Sequence, residues 1–127
     1  MVDEQPDYVQ SGAWGKVRHT RRANGHMESK EWLDAQNDGV KSKFDHLFRR
    51  IAATGKIFNE TQFRPLADGI WEFKRDGDRL LCFQHGTCWR LTHHYPKGGS
   101  KKCPKRQIER AVKIRSEYLQ SLGEKKP

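Results

Sequence analysis

The sequence predicts an α+β domain in which a small antiparallel β-sheet is packed by helices, in the order β-α-α-β-β-β-α. Three observations carry this. Apolar residues recur at helical spacing over residues 37–55 and again over 104–123. Between these two stretches, in residues 70–95, apolar and polar side chains alternate at a period of two, broken by two glycine-containing turns. The chain has 127 residues, 34% of them hydrophobic, and includes six Phe, four Trp and three Tyr. That supplies one modest core, so a single domain is expected over 1–127.

Taken in order, residues 1–12 are polar and are expected to form a flexible start, matched by a flexible tail at 124–127. "WGKVRHT" (14–20) reads as a short strand, and Asn24-Gly25 as a turn. Ser29 is placed to cap a short helix running to about Ala35, with Trp32 and Leu33 facing inward. Val40, Phe44, Leu47, Phe48 and Ile51 fall on one helical face. Asn37 or Asp38 can cap this second helix, and Gly55 sits where a left-handed C-terminal cap belongs. Residues 56–69 read as irregular.

Three strands follow, "IWEFKR", "RLLCFQ" and "CWRLTHHY", joined through "RDGD" and "QHGT" as hairpin turns. Alternation assigns Trp71, Phe73, Leu81, Phe83, Trp89 and Leu91 to one buried face. "PKGGSKK" reads as a basic loop. Pro104 suits the first turn of a last helix whose apolar stripe is Ile108, Ala111, Val112, Tyr118, Leu119 and Leu122, ending at Gly123.

Charge narrows the function. The chain carries a net charge of +9, and residues 97–127 hold much of the excess of base over acid. A polyanion, most simply a nucleic acid, is the matching partner; a merely solvated basic surface is the plainer alternative. No apolar run is long enough to span a bilayer. The first residues lack the basic and apolar regions of a secretory signal, so a cytoplasmic protein without a membrane partner is expected. The odd number of cysteines, Cys82, Cys88 and Cys103, argues against a disulfide framework. Cys82, His85, Cys88 and His93 match no zinc-ligand spacing, and no metal or other cofactor is expected.

The chemistry concentrates at the strand ends. Lys74, Arg79, His93, His94, Tyr95, Lys97, Lys101 and Lys102 converge toward one sheet edge if the meander is right. Such a set suits metal-independent RNA cleavage. A histidine can carry protons near neutral pH. Arg and Lys can hold the phosphate and its developing charge, and Tyr can stack on a base or orient a proton. The plainer alternative is a wet sheet face with two surface histidines, which composition alone favours. Strict alternation puts His93 on the face of Trp89 and Leu91, so a bulge is required to turn it out, and which of His93 and His94 faces the site stays open. In the last helix, Arg106, Arg110 and Lys113 can add long-range attraction.

The ordered series "FRPLADGIWEFKRDGDRLLCF", "LTHHYPKGGSKKCP" and "QIERAVKIRSEYL" resembles the RelE/ParE superfamily of type II toxins, and within it the phage-derived, HigB-like branch. The matching residues run from Leu66, Gly69, Trp71, Glu72, Phe73 and Arg79 to Pro104, Ile108, Glu109, Ala111 and Arg115. The resemblance implies a RelE-like toxin fold. It also implies a ribosome-dependent endoribonuclease cleaving mRNA, with ribosome and mRNA as partners and a cognate antitoxin of helix-turn-helix type. By position, Arg79, His93, Lys74 and Tyr95 become the catalytic candidates, and Lys97, Lys101, Lys102, His94 and Arg64 the RNA-binding ones. Two alternatives accompany this reading. One is a ParE-like toxin that inhibits DNA gyrase without cutting RNA; the other is a non-catalytic basic nucleic-acid-binding module.

Overall fold

The computed structural model describes residues 3–98 and 102–124. In chain order these form β1 (Tyr8–Ser11), β2 (Lys16–His19), α1 (Glu28–Asp34), α2 (Asp38–Thr54), β3 (Phe63–Pro65), β4 (Ile70–Arg75), β5 (Asp78–His85), β6 (Cys88–Pro96) and α3 (Lys105–Glu124). The strands make one six-stranded sheet in the order β1-β2-β6-β5-β4-β3. The pairing of β2 with β6 is parallel and the others are antiparallel, so the α+β class holds but the sheet is mixed.

Two strands depart from the expected order. β3 occupies a stretch expected to be irregular, and pairs Phe63 with Phe73 and Arg64 with Glu72. β1 falls within residues 1–12, expected to be flexible. It is an edge strand, and acidic side chains around it pair with bases on the sheet. Asp3 meets Lys16 at 2.6 Å and Arg18 at 2.5 Å, while Asp7 meets Arg18 at 2.7 Å and buried Arg90 at 2.9 Å. The Lys16 ammonium is the largest of the influences that lower the Asp3 carboxyl to about 2.

α1 begins without a side-chain cap: Met27 is the capping residue. Ser29 lies inside the helix and is buried, its hydroxyl 2.6 Å from His19 Nδ1. Tertiary packing rather than capping holds this short helix. α2 follows its sequence signals. The Asn37 side chain accepts a hydrogen bond from Val40 N, and Gly55 at φ 82° closes the helix by donating to Ile51 O. A Cβ at Gly55 would sit 2.6 Å from the Trp14 ring, so glycine is needed for space as well as for φ.

Both sheet faces are covered. Cross-strand partners share a face. The pairs Phe73–Leu80, Trp71–Cys82 and Cys82–Leu91 therefore belong to one side, and Ile70–Phe83, Glu72–Leu81 and Arg79–Tyr95 to the other. Phe44, Leu47, Phe48, Ile51 and Ala52 of α2 pack on the first side. Ala111, Ile108, Val112 and Tyr118 of α3 pack on the second. Leu81 and Phe83 thus face α3, not the Trp71–Phe73 side assigned by alternation, and Leu80 and Cys82 take their places. α3 also continues through Gly123, and Leu119 of its expected stripe is exposed while Ile114 is fully buried.

Acidic and basic groups lock α3 to the N-terminal segment. Both Glu117 oxygens accept from Arg22, at 3.2 and 2.8 Å, and Glu117 also accepts from Ala23 N. Glu28 at the start of α1 bridges Arg22 and Arg110. The Arg90 guanidinium lies 4.2 Å from the Tyr118 ring centre, a cation–π contact between β6 and α3.

Candidate active site

Register builds the site. Three neighbouring strands place Lys74 (β4), Arg79 (β5) and Tyr95 (β6) in one cross-strand row on the α3 side. In the row beside it, Arg64 of β3 pairs with Glu72 of β4. α3 leaves this end of the sheet open, and a cleft of about 550 Å³ forms there. Arg64, Lys74, Arg79 and Tyr95 line it from the sheet. Lys97 and Lys102 line it from the β6–α3 connection, and Arg106 and Gln107 from the first turn of α3. Among the described residues, no carboxylate lines this cleft. Lys101 lies outside the described residues.

One carboxylate lies beneath the basic wall. Glu72 is fully buried. Its Oε2 accepts from Arg64 Nε at 2.5 Å and its Oε1 from the Tyr95 hydroxyl at 3.1 Å. A buried carboxylate needs such partners, and these fix the orientation of both donors. Burial, reinforced by the neighbouring Cys103 thiol and Glu72, raises the Tyr95 hydroxyl far above its ordinary range, so it stays protonated and donates. Arg79 is 5% exposed, and its Nη1 donates to the Asp76 and Asp78 carbonyls, each at 2.9 Å. The β4–β5 turn thereby sets the guanidinium plane. Lys74 donates to Glu60 O at 3.3 Å. Burial, followed by the nearby charges of Arg64 and Arg79, lowers its proton affinity below that of an ordinary lysine.

Neither imidazole lines the cleft. Leu80 pairs with His94 and Cys82 with Leu91, so β6 spends an extra residue there as a bulge. The bulge turns His93 toward α3, as alternation alone would not. There it is 1% exposed, with Nε2 2.9 Å from Gln107 Oε1 and Nδ1 3.2 Å from Thr92 Oγ1. Burial lowers its pKa to about 4. His93 is therefore neutral at pH 7 and reaches the cleft through Gln107. His94 points to the opposite face, stacked on Trp32 with ring centres 3.8 Å apart and Nε2 2.9 Å from Asp78 Oδ1. The expected general acid or base, His93, and the expected RNA contact, His94, thus lie apart from the Lys74–Arg79–Tyr95 row. Burial excludes one and the opposite strand face the other.

Glu72 and Gln107 were not among the expected site residues. Glu72 did carry a signal, an acid between Trp71 and Phe73 in the middle of an apolar strand. Gln107 carried none beyond its place in the first turn of the last helix.

A family model described as phage-derived protein Gp49-like (DUF891) matches residues 31–116, well over half of the chain. The chain belongs to the Gp49-like family. Gp49-like proteins are RelE-like toxin-family members, so this protein is toxin-like and the family implies an antitoxin partner. No curated protein matches the chain. The Gp49-like match takes in the whole cleft wall, while Arg22, Glu28 and Glu117 of the α3 lock fall outside it. Among the described residues, no helix is long and apolar enough to cross a membrane.

Proposed function

We propose that this Gp49-like protein is the toxin of a type II toxin–antitoxin pair, and that it cleaves mRNA on the ribosome without a metal ion at the Lys74–Arg79–Tyr95 cleft. The observation that carries the reading is the convergence of Arg64, Lys74, Arg79, Lys97, Lys102 and Arg106 on one concavity with no carboxylate in its described wall. A cleft of one charge sign concentrates a polyanion.

In the proposed reaction the RNA 2′-oxygen attacks the adjacent phosphorus, and the bond from phosphorus to the 5′-oxygen breaks. The products are a 2′,3′-cyclic phosphate and a 5′-hydroxyl. One proton leaves the 2′-hydroxyl and one is taken up by the departing 5′-oxygen. Arg79, held by the turn carbonyls, and Lys97 stabilise the charge that builds on the phosphorane oxygens. Lys74 is the proton carrier, since burial and neighbouring cations ease its deprotonation. Tyr95, its ring buried, stays neutral and orients the site by holding Glu72. His93 acts as a positioning residue through Gln107.

The test is induced expression with transcript 5′ ends mapped, for wild type, Arg79→Ala and Lys74→Ala. Wild type arrests growth and creates new 5′ ends in translated messages. Arg79→Ala lowers cleavage about 10²–10³-fold, the range for removing a group that stabilises transition-state charge, and Lys74→Ala about 10²–10⁴-fold, the range for removing a proton carrier. Undiminished cleavage in both variants refutes the site. Growth arrest with no new 5′ ends and with inhibited supercoiling supports the gyrase alternative instead.

A further inference from the structure

A second cleft, of about 420 Å³, opens where β4 ends beside α2, and Lys74 lines both clefts. Strand alternation explains the join. Lys74 sits on the α3 side, and the next residue, Arg75, lines the second cleft with Lys43 and His46 of α2. Arg75 Nε is buried and has no hydrogen-bond partner among the described residues. Arg75 lines the cleft, so its guanidinium presents donors to a phosphate oxygen there, and no described residue competes for its buried Nε.

The one acid on this wall is Asp76, 2.8 Å from Lys43. Both side chains are largely exposed, so the pair is weak and a phosphate can displace the carboxylate from Lys43. Thr61 adds a hydroxyl at the rim.

We infer that the two clefts form one track for single-stranded RNA, with Lys74 at the join and Lys43, His46 and Arg75 forming a subsite for a backbone phosphate beyond the cleaved bond. The inference rests on the reading of the first cleft as an RNA site. The RNA enters between the sheet and α3, passes Lys74 near the end of β4, and continues along α2. Asp76, which faces Lys43, weakens this second subsite and thereby limits how tightly flanking RNA is held.

The test is fluorescence anisotropy on the full chain with 2′-O-methyl RNA, which lacks the attacking hydroxyl, at lengths of about 4 and about 12 nucleotides. With one added phosphate contact, the longer strand should show a salt slope steeper by about 0.7, which is about a threefold greater loss of affinity from about 50 to 200 mM salt. Lys43→Gln, at an exposed position, and Arg75→Gln should each reduce the advantage of the longer strand. Asp76→Asn should raise affinity for the longer strand severalfold. Asn tolerates the left-handed backbone at this position, φ 51°, so the charge is removed without a new strain. Equal salt slopes at the two lengths, or no gain from Asp76→Asn, overturn the second subsite alone. Failure of wild type to bind either strand overturns this inference, whereas the ribosome-dependent reading of the first cleft is overturned by undiminished cleavage in Arg79→Ala and Lys74→Ala.

Discussion

His19 and His93 are 4% and 1% exposed, and burial lowers the pKa of each to about 4 from 6.5. The unfolded chain takes up these two protons as pH falls through 6.5, and the folded chain does not until about 4. The unfolded state therefore binds more protons across this window, and stability declines as pH falls through it. The full stability is present above 6.5. At about pH 5 each histidine has lost about 1.5 pH units of linkage, or about 2 kcal/mol, so the pair costs about 4 kcal/mol. That is a large share of the roughly 5–15 kcal/mol that holds a domain together. His94 moves in the same direction. Asp3 and Glu117, lowered to about 2, act only at more acid pH and do not confuse the window. Urea unfolding with linear extrapolation at about pH 7.5 and about pH 5 measures the difference. The decisive comparison is the double variant His19→Gln with His93→Gln, in which most of the pH slope should vanish whatever its stability at neutral pH. A wild-type stability that stays level across the window, or a slope that survives in the double variant, refutes the assignment of both imidazoles as buried and neutral.

Two further outcomes follow from single contacts. Glu72→Gln removes the charge that Arg64 and Tyr95 share, and should lower stability by about 1–3 kcal/mol at neutral pH in the same urea assay. Gly55→Ala meets both a positive φ and the Trp14 ring, and should lower the thermal midpoint through a loss of about 1–3 kcal/mol, read by calorimetry.

The sequence was most legible where one period ruled. α2 came with its face, its Asn37 cap and its Gly55 stop, and the β4–β6 meander with both of its turns. Legibility failed where burial was two-sided. Leu80, Leu81, Cys82 and Phe83 are all buried because α2 covers one face and α3 the other, so alternation holds no polar member to mark the outside. β3 is three residues long and ends in a proline, and β1 is four residues, preceded by the ion-paired Asp3 and Asp7; neither leaves a periodic trace. The cleft was legible in outline, since Arg64, Lys74, Arg79, Tyr95, Lys97 and Lys102 do share it. Alternation already demands a bulge to move His93 off the Trp89–Leu91 face, and the bulge is there; what it does not carry is the cover of α3, a tertiary fact that buries His93 against Gln107.

Crowding cations in one concavity carries a cost that the fold must offset locally. Arg64, Lys74 and Arg79 repel one another, and burial sharpens the repulsion. Glu72 answers it from below, where it cannot compete for a ligand because it is fully buried and its two oxygens are engaged by Arg64 and Tyr95. The answer is incomplete: the shift at Lys74 is downward, so burial and the cations outweigh the carboxylate. An incomplete balance is what the proposed RNA site requires. Full neutralisation would abolish the field that draws in phosphate, and none would leave the guanidinium and ammonium groups splayed apart. The wall across the cleft is secured differently. α3 brings Arg106 and Gln107, and its position depends on Arg22, Glu28, Arg110 and Glu117, a charge network away from the cleft. Pairing opposite charges there, and leaving like charges facing one another here, separates what holds the fold from what the fold presents.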